Sequence, residues 1–295
     1  MRHILGISGG KDSAALTVHL ARQDNWRYFA DMMSSSGLED EAVRIEKSGK
    51  PPTIEYFFTD TGKELPEVYE FLRIMEGYLG IKISMLPKDL QNDSTETFDH
   101  FLIAEHGGLL PSRRQRWCTY KMKLLPMERF VNGDKAVNYV GIRADEDNRA
   151  RLSSKPNIIA VYPFVIDKMV RDDIFKLLKN TVGIPKYYEW RSRSGCYFCF
   201  FQRKKEWLGL RERHPDLFRN AMEYEENTYD PETGRMFTWM DKMSLRELDK
   251  IAESLPSSDI IGSSAPSSQG WKEQIILENL EDDDPHDQAC AICSL

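Results

Sequence analysis

The residues with the clearest chemical potential are Ser8-Gly9-Gly10-Lys11-Asp12-Ser13. They stand between the apolar run His3 to Ile7 and a stretch where Ala14, Ala15, Leu16, Val18 and Leu20 fall at helical spacing. Glycines let a backbone approach an anion closely. Successive N–H groups and a helix N-terminus supply positive potential, and Lys11 and the serines add donors. A strand–loop–helix of this composition is a phosphate cradle. It departs from the Walker pattern, because Gly6 and Gly10-Lys11 enclose three residues instead of four and the lysine is followed by Asp12 instead of Ser or Thr.

Cysteine is the second chemistry-bearing type. The chain has five, Cys118, Cys196, Cys199, Cys290 and Cys293, forming one single and two CxxC pairs. No export signal is evident, since Met1-Arg2 leads straight into a short apolar run with no small-residue cleavage site. In a reducing compartment such a set points to metal, iron–sulfur or redox chemistry and away from a disulfide framework. By count, zinc could be held by Cys196, Cys199, Cys290 and Cys293, or by Cys118 and His214 with the first pair. Basic residues flank these cysteines, with Arg113, Arg114, Arg116, Lys121 and Lys123 in one stretch and Arg191, Arg193, Arg203, Lys204 and Lys205 in another. They are either solvated helix faces or a local anion site.

The elements that must position these residues alternate. A second apolar run, residues 54–58, stops at Thr59-Asp60-Thr61-Gly62, and Val68, Leu72, Met75 and Leu79 follow at helical spacing. Residues 81–86 and 136–142 read as two further strands, and 95–106 and 118–131 as helical. Val170, Ile174, Leu177 and Leu178 define a helix closed off by Gly183 and Pro185. The expected fold class is α/β, a doubly wound and mainly parallel sheet with ligands at the carboxyl ends of its strands. Residues 32–52, polar and rich in Ser and Gly, read as a surface excursion. Past residue 190 the chain turns to Cys, Arg and aromatics, with helices near 203–226 and 244–254, the latter opened by the capping pattern Ser244 to Glu247. The expected organisation is a nucleotide-binding domain at 1–190, a small cysteine and aromatic helical subdomain at 191–255, and a linker with a CxxC tail at 256–295.

Bulk composition sets limits. With 295 residues and 41% hydrophobic content the chain can bury a core without disulfides or structural metal. No apolar run approaches bilayer-spanning length, so a soluble cytoplasmic protein without membrane association is expected. The net charge of −7 argues against a general nucleic-acid binder. The aromatics from Tyr187 to Trp207 could stack bases, but are better read as core and lining. His3, His19, His100 and His106 have no ligand spacing and read as structural.

The loop at 8–13 resembles the SGGxDS pyrophosphate loop of the PP-loop ATP pyrophosphatases, or adenine nucleotide α-hydrolases. Other segments follow in order. Phe58-Thr59-Asp60-Thr61-Gly62 with Pro66-Glu67, Cys118-Thr-Tyr-Lys121-Met-Lys123 with Pro126, and Gly141-Ile-Arg143-Ala-Asp-Glu146 with Arg149 resemble the phosphoadenosine phosphosulfate (PAPS) reductase branch. So do Tyr162-Pro163-Phe164, Gly183-Ile-Pro185 and Gly195-Cys196-Tyr-Phe-Cys199, and the resemblance covers about residues 1–220. It implies ATP with Mg²⁺ as the bound nucleotide, held by Ser8 to Ser13, Thr59, Asp60, Thr61, Gly62 and Gly141. Lys11, Asp12, Arg143 and Arg149 are then the expected catalytic set. Without the resemblance, Asp60 to Gly62 would read as a strand-ending turn and the arginines as surface charge.

In the adenylyl-sulfate reductases of this branch a double cysteine and a later CxxC hold a [4Fe–4S] cluster. Here Trp117-Cys118 stands where the double cysteine would be, leaving Cys118, Cys196 and Cys199 as expected ligands and the fourth position open or filled by His214. A three-cysteine cluster resembles the RNA-thiolating PP-loop sulfurtransferases, and proteins that place sulfur in the DNA backbone are also similar. The implied function is cleavage of ATP at the α-phosphate to adenylate an acceptor for sulfur transfer, with a nucleic acid or nucleotide as acceptor and a sulfur-donor protein as partner. The reductases' C-terminal Glu-Cys-Gly-x-His segment is absent, and the Cys290/Cys293 tail could be a nucleophile, a persulfide carrier or incidental. Two alternatives stand beside this reading: a thiol-dependent PAPS or adenylyl-sulfate reductase, and a nucleotide-sensing accessory subunit of a nucleic-acid-targeting defence system.

Overall fold

In the computed structural model, which describes residues 1–87, 94–149, 155–193, 195–241 and 243–254, the chain starts with β1 (Arg2–Gly6) and turns through the loop into α1 (Lys11–Ala21). Next come α2 (Trp26–Ser35), α3 (Glu39–Ser48), β2 (Ile54–Thr59), α4 (Pro66–Leu79) and β3 (Ser84–Leu86). Residues 94–105 form irregular helical turns around the short α5 (Phe98–His100), and α6 (Trp117–Thr119) runs through a π-helical turn into α7 (Leu125–Val131). β4 (Ala136–Tyr139) and β5 (Ile158–Val161) complete the sheet among the described residues. The remaining helices are α8 (Pro163–Ile166), α9 (Arg171–Lys179), α10 (Lys204–Arg213), α11 (Pro215–Glu226) and α12 (Leu245–Ser254).

The strands lie in the order β3-β2-β1-β4-β5 and every pair is parallel. The strand order reverses between β1 and β4, which puts the phosphate loop at the switch point where such sheets bind ligands. Alternation along the strands sends residues to two faces. Ile4, Phe57, Ala136 and Ile158 pack with Met127 and Val131 of α7 on one face. Leu5, Tyr56, Phe58, Val137 and Val161 face the other, where a continuous buried cluster extends through α1 and α4 to Phe198, Trp207, Trp239 and Leu248. The aromatics after residue 186 belong to this core, with Tyr187 and Trp207 fully buried. No helix among the described residues is long and apolar enough to cross a membrane.

Two elements differ from the sequence expectation. Residues 32–52 are not a surface excursion, since they complete α2 and form α3, which bury Phe29, Met32, Met33, Ala42 and Ile45. The apolar side chains recur every three or four residues among charged ones, so the segment averages polar while still presenting a core-facing stripe. The second is β5, four residues with no expected counterpart, which extends the sheet beyond β4. The strand expected at 81–86 is confined to 84–86, and that at 136–142 to 136–139. The helix at 244–254 is capped as anticipated, with the Ser244 N–H donating to Glu247 Oε2 at 2.8 Å and the Glu247 N–H to Ser244 Oγ at 3.2 Å.

A buried polar knot ties α3 beneath the sheet. His3 Nε2 and Glu41 Oε1 are 2.9 Å apart, His3 Nδ1 meets the Tyr139 hydroxyl at 2.7 Å, and the Met1 ammonium and Arg44 also donate to Glu41, which is only 3% exposed. Burial alone would raise the Glu41 pKa, but hydrogen bonds from Arg44, His3 and the Met1 ammonium outweigh it and hold the carboxyl at about 2, below its ordinary 4.5. A depressed carboxyl contributes stability that is complete above the unfolded value and is lost as pH falls through the folded one. Glu41→Gln is therefore expected to lower unfolding free energy at pH 7 by about 1–3 kcal/mol. In urea titrations across the pH range, the gap between wild type and variant should close as pH falls from 4.5 toward 2. A gap that is constant with pH would contradict this account.

Candidate functional site

The loop between β1 and α1 is closed by its own side chains. Ser13 Oγ accepts the Ser8 N–H at 3.1 Å and donates to the Gly10 carbonyl at 3.2 Å, and the Ser8 hydroxyl accepts the Gly10 N–H at 3.3 Å. Gly9 has φ +73°, and a Cβ there would lie 2.6 Å from Val68 Cγ1 at the start of α4, so conformation and space both demand glycine. Gly10 caps α1 with no side-chain hydrogen bond, leaving first-turn N–H groups directed at the loop's concavity. Gly141, just past β4, approaches the same turn: a Cβ there would stand 3.0 Å from the Asp12 carbonyl oxygen.

Charge gathers at this point. Asp12 lies between two cations, with Lys11 Nζ 2.6 Å from Oδ2 and Arg143 Nη1 3.0 Å from Oδ1. Arg143 is buried and also pairs with Asp145 at 2.9 Å and Glu146 at 3.1 Å. Burial opposes its charge, but the bond to Asp145 and the charges of Asp12 and Glu146 outweigh that and hold it protonated. Two tyrosines from the far end of the chain complete the loop. The Tyr187 hydroxyl donates to the Gly9 carbonyl at 2.5 Å, and the Tyr188 hydroxyl accepts the Lys11 N–H at 3.0 Å.

The segment after β2 links this loop to the cysteines. Asp60 Oδ1 accepts the Gly62 N–H and the Tyr69 hydroxyl, each at 2.8 Å, which fixes the turn. Thr61 is buried and faces away from the loop. Its Oγ1 donates to Glu64 Oε1 at 2.8 Å and lies 3.2 Å from Cys196 Sγ. The Tyr197 N–H donates to the Lys63 carbonyl at 2.9 Å, pinning the CxxC turn to this segment. Arg191, 2% exposed, donates to the carbonyls of Gly195 and Cys196, and the Cys199 N–H closes the turn on the Cys196 carbonyl at 3.1 Å.

Cys118, Cys196 and Cys199 line one cavity of about 40 Å³ together with Thr61, Lys123 and Trp239. Phe198 stacks on Trp239 with ring centroids 4.9 Å apart and forms another wall. Burial pushes the Cys196 thiol well up, reinforced by Glu64; burial also raises Cys199, against the Phe201 N–H and Arg193. These thiols are therefore protonated while the cavity is dry. Among the described residues, no three His, Cys, Asp or Glu side chains stand together closely enough to hold a metal ion as they are placed. The donor set nonetheless suits one: three thiols converge on one cavity, and Lys123 and Arg191 nearby oppose the charge that thiolates would bring.

The expected nucleotide-binding residues thus divide. Ser8 to Ser13, Gly141 and Arg143 assemble around one turn, Thr59 and Asp60 flank it at the end of β2, and Thr61 belongs to the cysteine cavity. Arg149 ends the helical turn 144–149, but its side chain, like Cys290 and Cys293, lies outside the described residues. His214 does not line the cavity; its Nε2 lies 2.8 Å from Glu67 Oε1. Tyr187, Tyr188 and Glu64 were missed as site residues. The tyrosines reach the loop across 177 residues or more, and no local pattern signals such a contact.

A family model described as the phosphoadenosine phosphosulfate reductase domain matches residues 2–163, more than half of the chain. Two uncharacterized proteins of Methanocaldococcus jannaschii are similar. One is 29% identical over 200 residues, covering 63% of this chain and 39% of its own length. The other is 25% identical over 239 residues, covering 76% and 56%. The chain thus spans between about two fifths and just over half of these relatives. Among solved structures, a phosphoadenylyl-sulfate (PAPS) reductase from Candida auris in a phosphate complex aligns with TM-score 0.42 and 13% identity, over 66% of this chain and 81% of that one.

The loop geometry yields a direct test. Gly9→Ala places a Cβ 2.6 Å from Val68 Cγ1 at a backbone angle that alanine resists, and should cost about 1–3 kcal/mol of stability. Gly9→Ala with Val68→Ala should recover the clash and retain only the conformational cost. Thermal melts of the single and double variants read this; equal melting temperatures for wild type and Gly9→Ala would show that the close approach does not exist.

Proposed function

The chain belongs to the phosphoadenosine phosphosulfate reductase domain family, and from that premise we propose that it is an enzyme that binds ATP at residues 8–13, cleaves it at the α-phosphate and uses the adenylate for sulfur transfer to a nucleic acid or nucleotide. Nucleotide binding and sulfur-related chemistry follow from the family. The observation that carries the finer reading is the contact between its two halves. Thr61, one residue beyond the Asp60 turn beside the loop, touches Cys196 Sγ at 3.2 Å, so a nucleotide held by the loop and a sulfur group held by the cysteines would be neighbours.

The residues divide the work. Loop N–H groups at the start of α1, with Lys11, stabilise the negative charge that develops on the departing pyrophosphate. Arg143, held by Asp145 and Glu146, offers a fixed guanidinium to the phosphates. Asp12 neutralises Lys11 and Arg143 in the unliganded protein; once phosphates take over those cations, its carboxylate is free to help hold Mg²⁺. Cys118, Cys196 and Cys199 would hold a [4Fe–4S] cluster, or zinc as the alternative, and a cluster with an open iron would supply a site for sulfide. A sulfur-donor protein is the partner this scheme requires.

A second reading, thiol-dependent reduction of a sulfonucleotide, is supported by the same family membership. One assay separates the two. Protein purified without oxygen is incubated with Mg²⁺ and ATP labelled on the α-phosphate. AMP or an adenylylated product is expected, and Lys11→Ala should lower its formation about 10²–10³-fold without changing the melting temperature. Consumption of a sulfonucleotide with a dithiol, and no turnover of ATP, would replace this reading with the reductase.

A further inference from the structure

The buried carboxylates of this protein are, with one exception, fully engaged. Glu41 takes its donors on both oxygens, Glu206 accepts the N–H groups of Ser192 and Arg203 on separate oxygens, and Glu225 does the same for Trp239 and Leu245. Glu64 differs. It is 8% exposed, its Oε1 receives the Thr61 hydroxyl at 2.8 Å and the Cys196 thiol at 3.7 Å, and its Oε2 is buried with no hydrogen-bond partner. An orphaned buried oxygen is costly, and a native fold that keeps one usually has a ligand for it.

Its surroundings indicate which ligand. Thr61 and Cys196, the two residues that Glu64 touches, both line the cavity that also carries Cys118, Cys199 and Lys123. The bond from the Tyr197 N–H to the Lys63 carbonyl locks the backbone of the Glu64 segment against the CxxC turn, so the carboxylate cannot drift away from the thiols. His214, the imidazole that spacing suggested for the site, is bonded to Glu67 and does not line the cavity. We propose that Glu64 is itself a metal ligand, its unpartnered oxygen joining the sulfurs of Cys118, Cys196 and Cys199 as the fourth protein donor of the site. This rests on the metal reading of the cysteine cavity. Three thiolates and a carboxylate make a strongly negative donor set, which Lys123 and the buried Arg191 oppose. A hard carboxylate oxygen exchanges more readily on a soft metal centre than a thiolate does, so Glu64 can vacate its position while the three cysteines hold theirs.

The test is spectroscopic. Wild type, Glu64→Gln, Glu64→Asp and Cys196→Ala, each purified without oxygen, are loaded with ferrous iron and sulfide, and in parallel with zinc alone. Metal per chain, X-ray absorption at the metal edge and the rate of metal loss to a chelator are recorded, with circular dichroism to confirm folding. Wild type should show sulfur scatterers plus one oxygen. Glu64→Gln should keep metal with the oxygen shell altered and lose it to chelator about tenfold faster, Glu64→Asp should restore the shell in part, and Cys196→Ala should fail to load. The same pattern with zinc alone supports Glu64 as ligand equally. If Cys196→Ala loses the metal while Glu64→Gln matches wild type in scattering and chelator rate, the cysteine site stands and Glu64 is not its ligand. If wild type takes up neither metal, both fall.

Discussion

Everything at this site depends on how closely three backbones approach one another where the strand order reverses. β1 ends in a loop whose Gly9 adopts φ +73° beneath Val68, and the Gly141 backbone after β4 rests against the Asp12 carbonyl. Those two contacts bring the start of α1, the start of α4 and the exit of β4 to one place. A side chain at either glycine would push them apart, and with them the unsatisfied N–H groups of α1 and the guanidinium of Arg143. The hydroxyls of Tyr187 and Tyr188 then fix the loop from the opposite side, through the Gly9 carbonyl and the Lys11 N–H. Chain termini far apart in sequence are thus committed to one turn.

What was legible in the sequence and what was not divide along physical lines. β1, β2, α1 and α4 could be read because unbroken apolar runs end in glycine-containing turns and are followed by helical spacing, so period and punctuation agree. α2 and α3 were obscured by averaging: a narrow apolar stripe among charged residues gives a polar segment. β5 has only four residues, too few for a period to emerge. The phosphate loop and the cysteines were legible from residue type alone, but their connection through Thr61 was not, because the direction a turn residue faces depends on tertiary packing. The same holds for Glu64, an ordinary glutamate by spacing, which only burial and an unmatched oxygen distinguish.

The charge distribution explains how a chain of net charge −7 can present an anion site. Arg143 is surrounded by Asp12, Asp145 and Glu146, and Lys11 by Asp12, so the unliganded loop is internally compensated. The acids set the arginine's orientation and keep both cations in place without a ligand. A phosphate chain entering the loop competes with Asp12 for partners already positioned at the right depth, so binding needs an exchange of ion pairs and little reorganisation.

The segment from Asp60 to Glu64 belongs to two sites at once, one end fixing the turn beside the phosphate loop and the other touching the CxxC thiols. Thermodynamic linkage then makes the traffic symmetrical. Whatever free energy a bound nucleotide adds to or takes from the state of the sulfurs, a change in the sulfurs returns in equal measure to nucleotide affinity. Oxidising or loading the thiols is therefore an event that the nucleotide site can sense, through five residues of backbone and without any movement of the sheet that carries them.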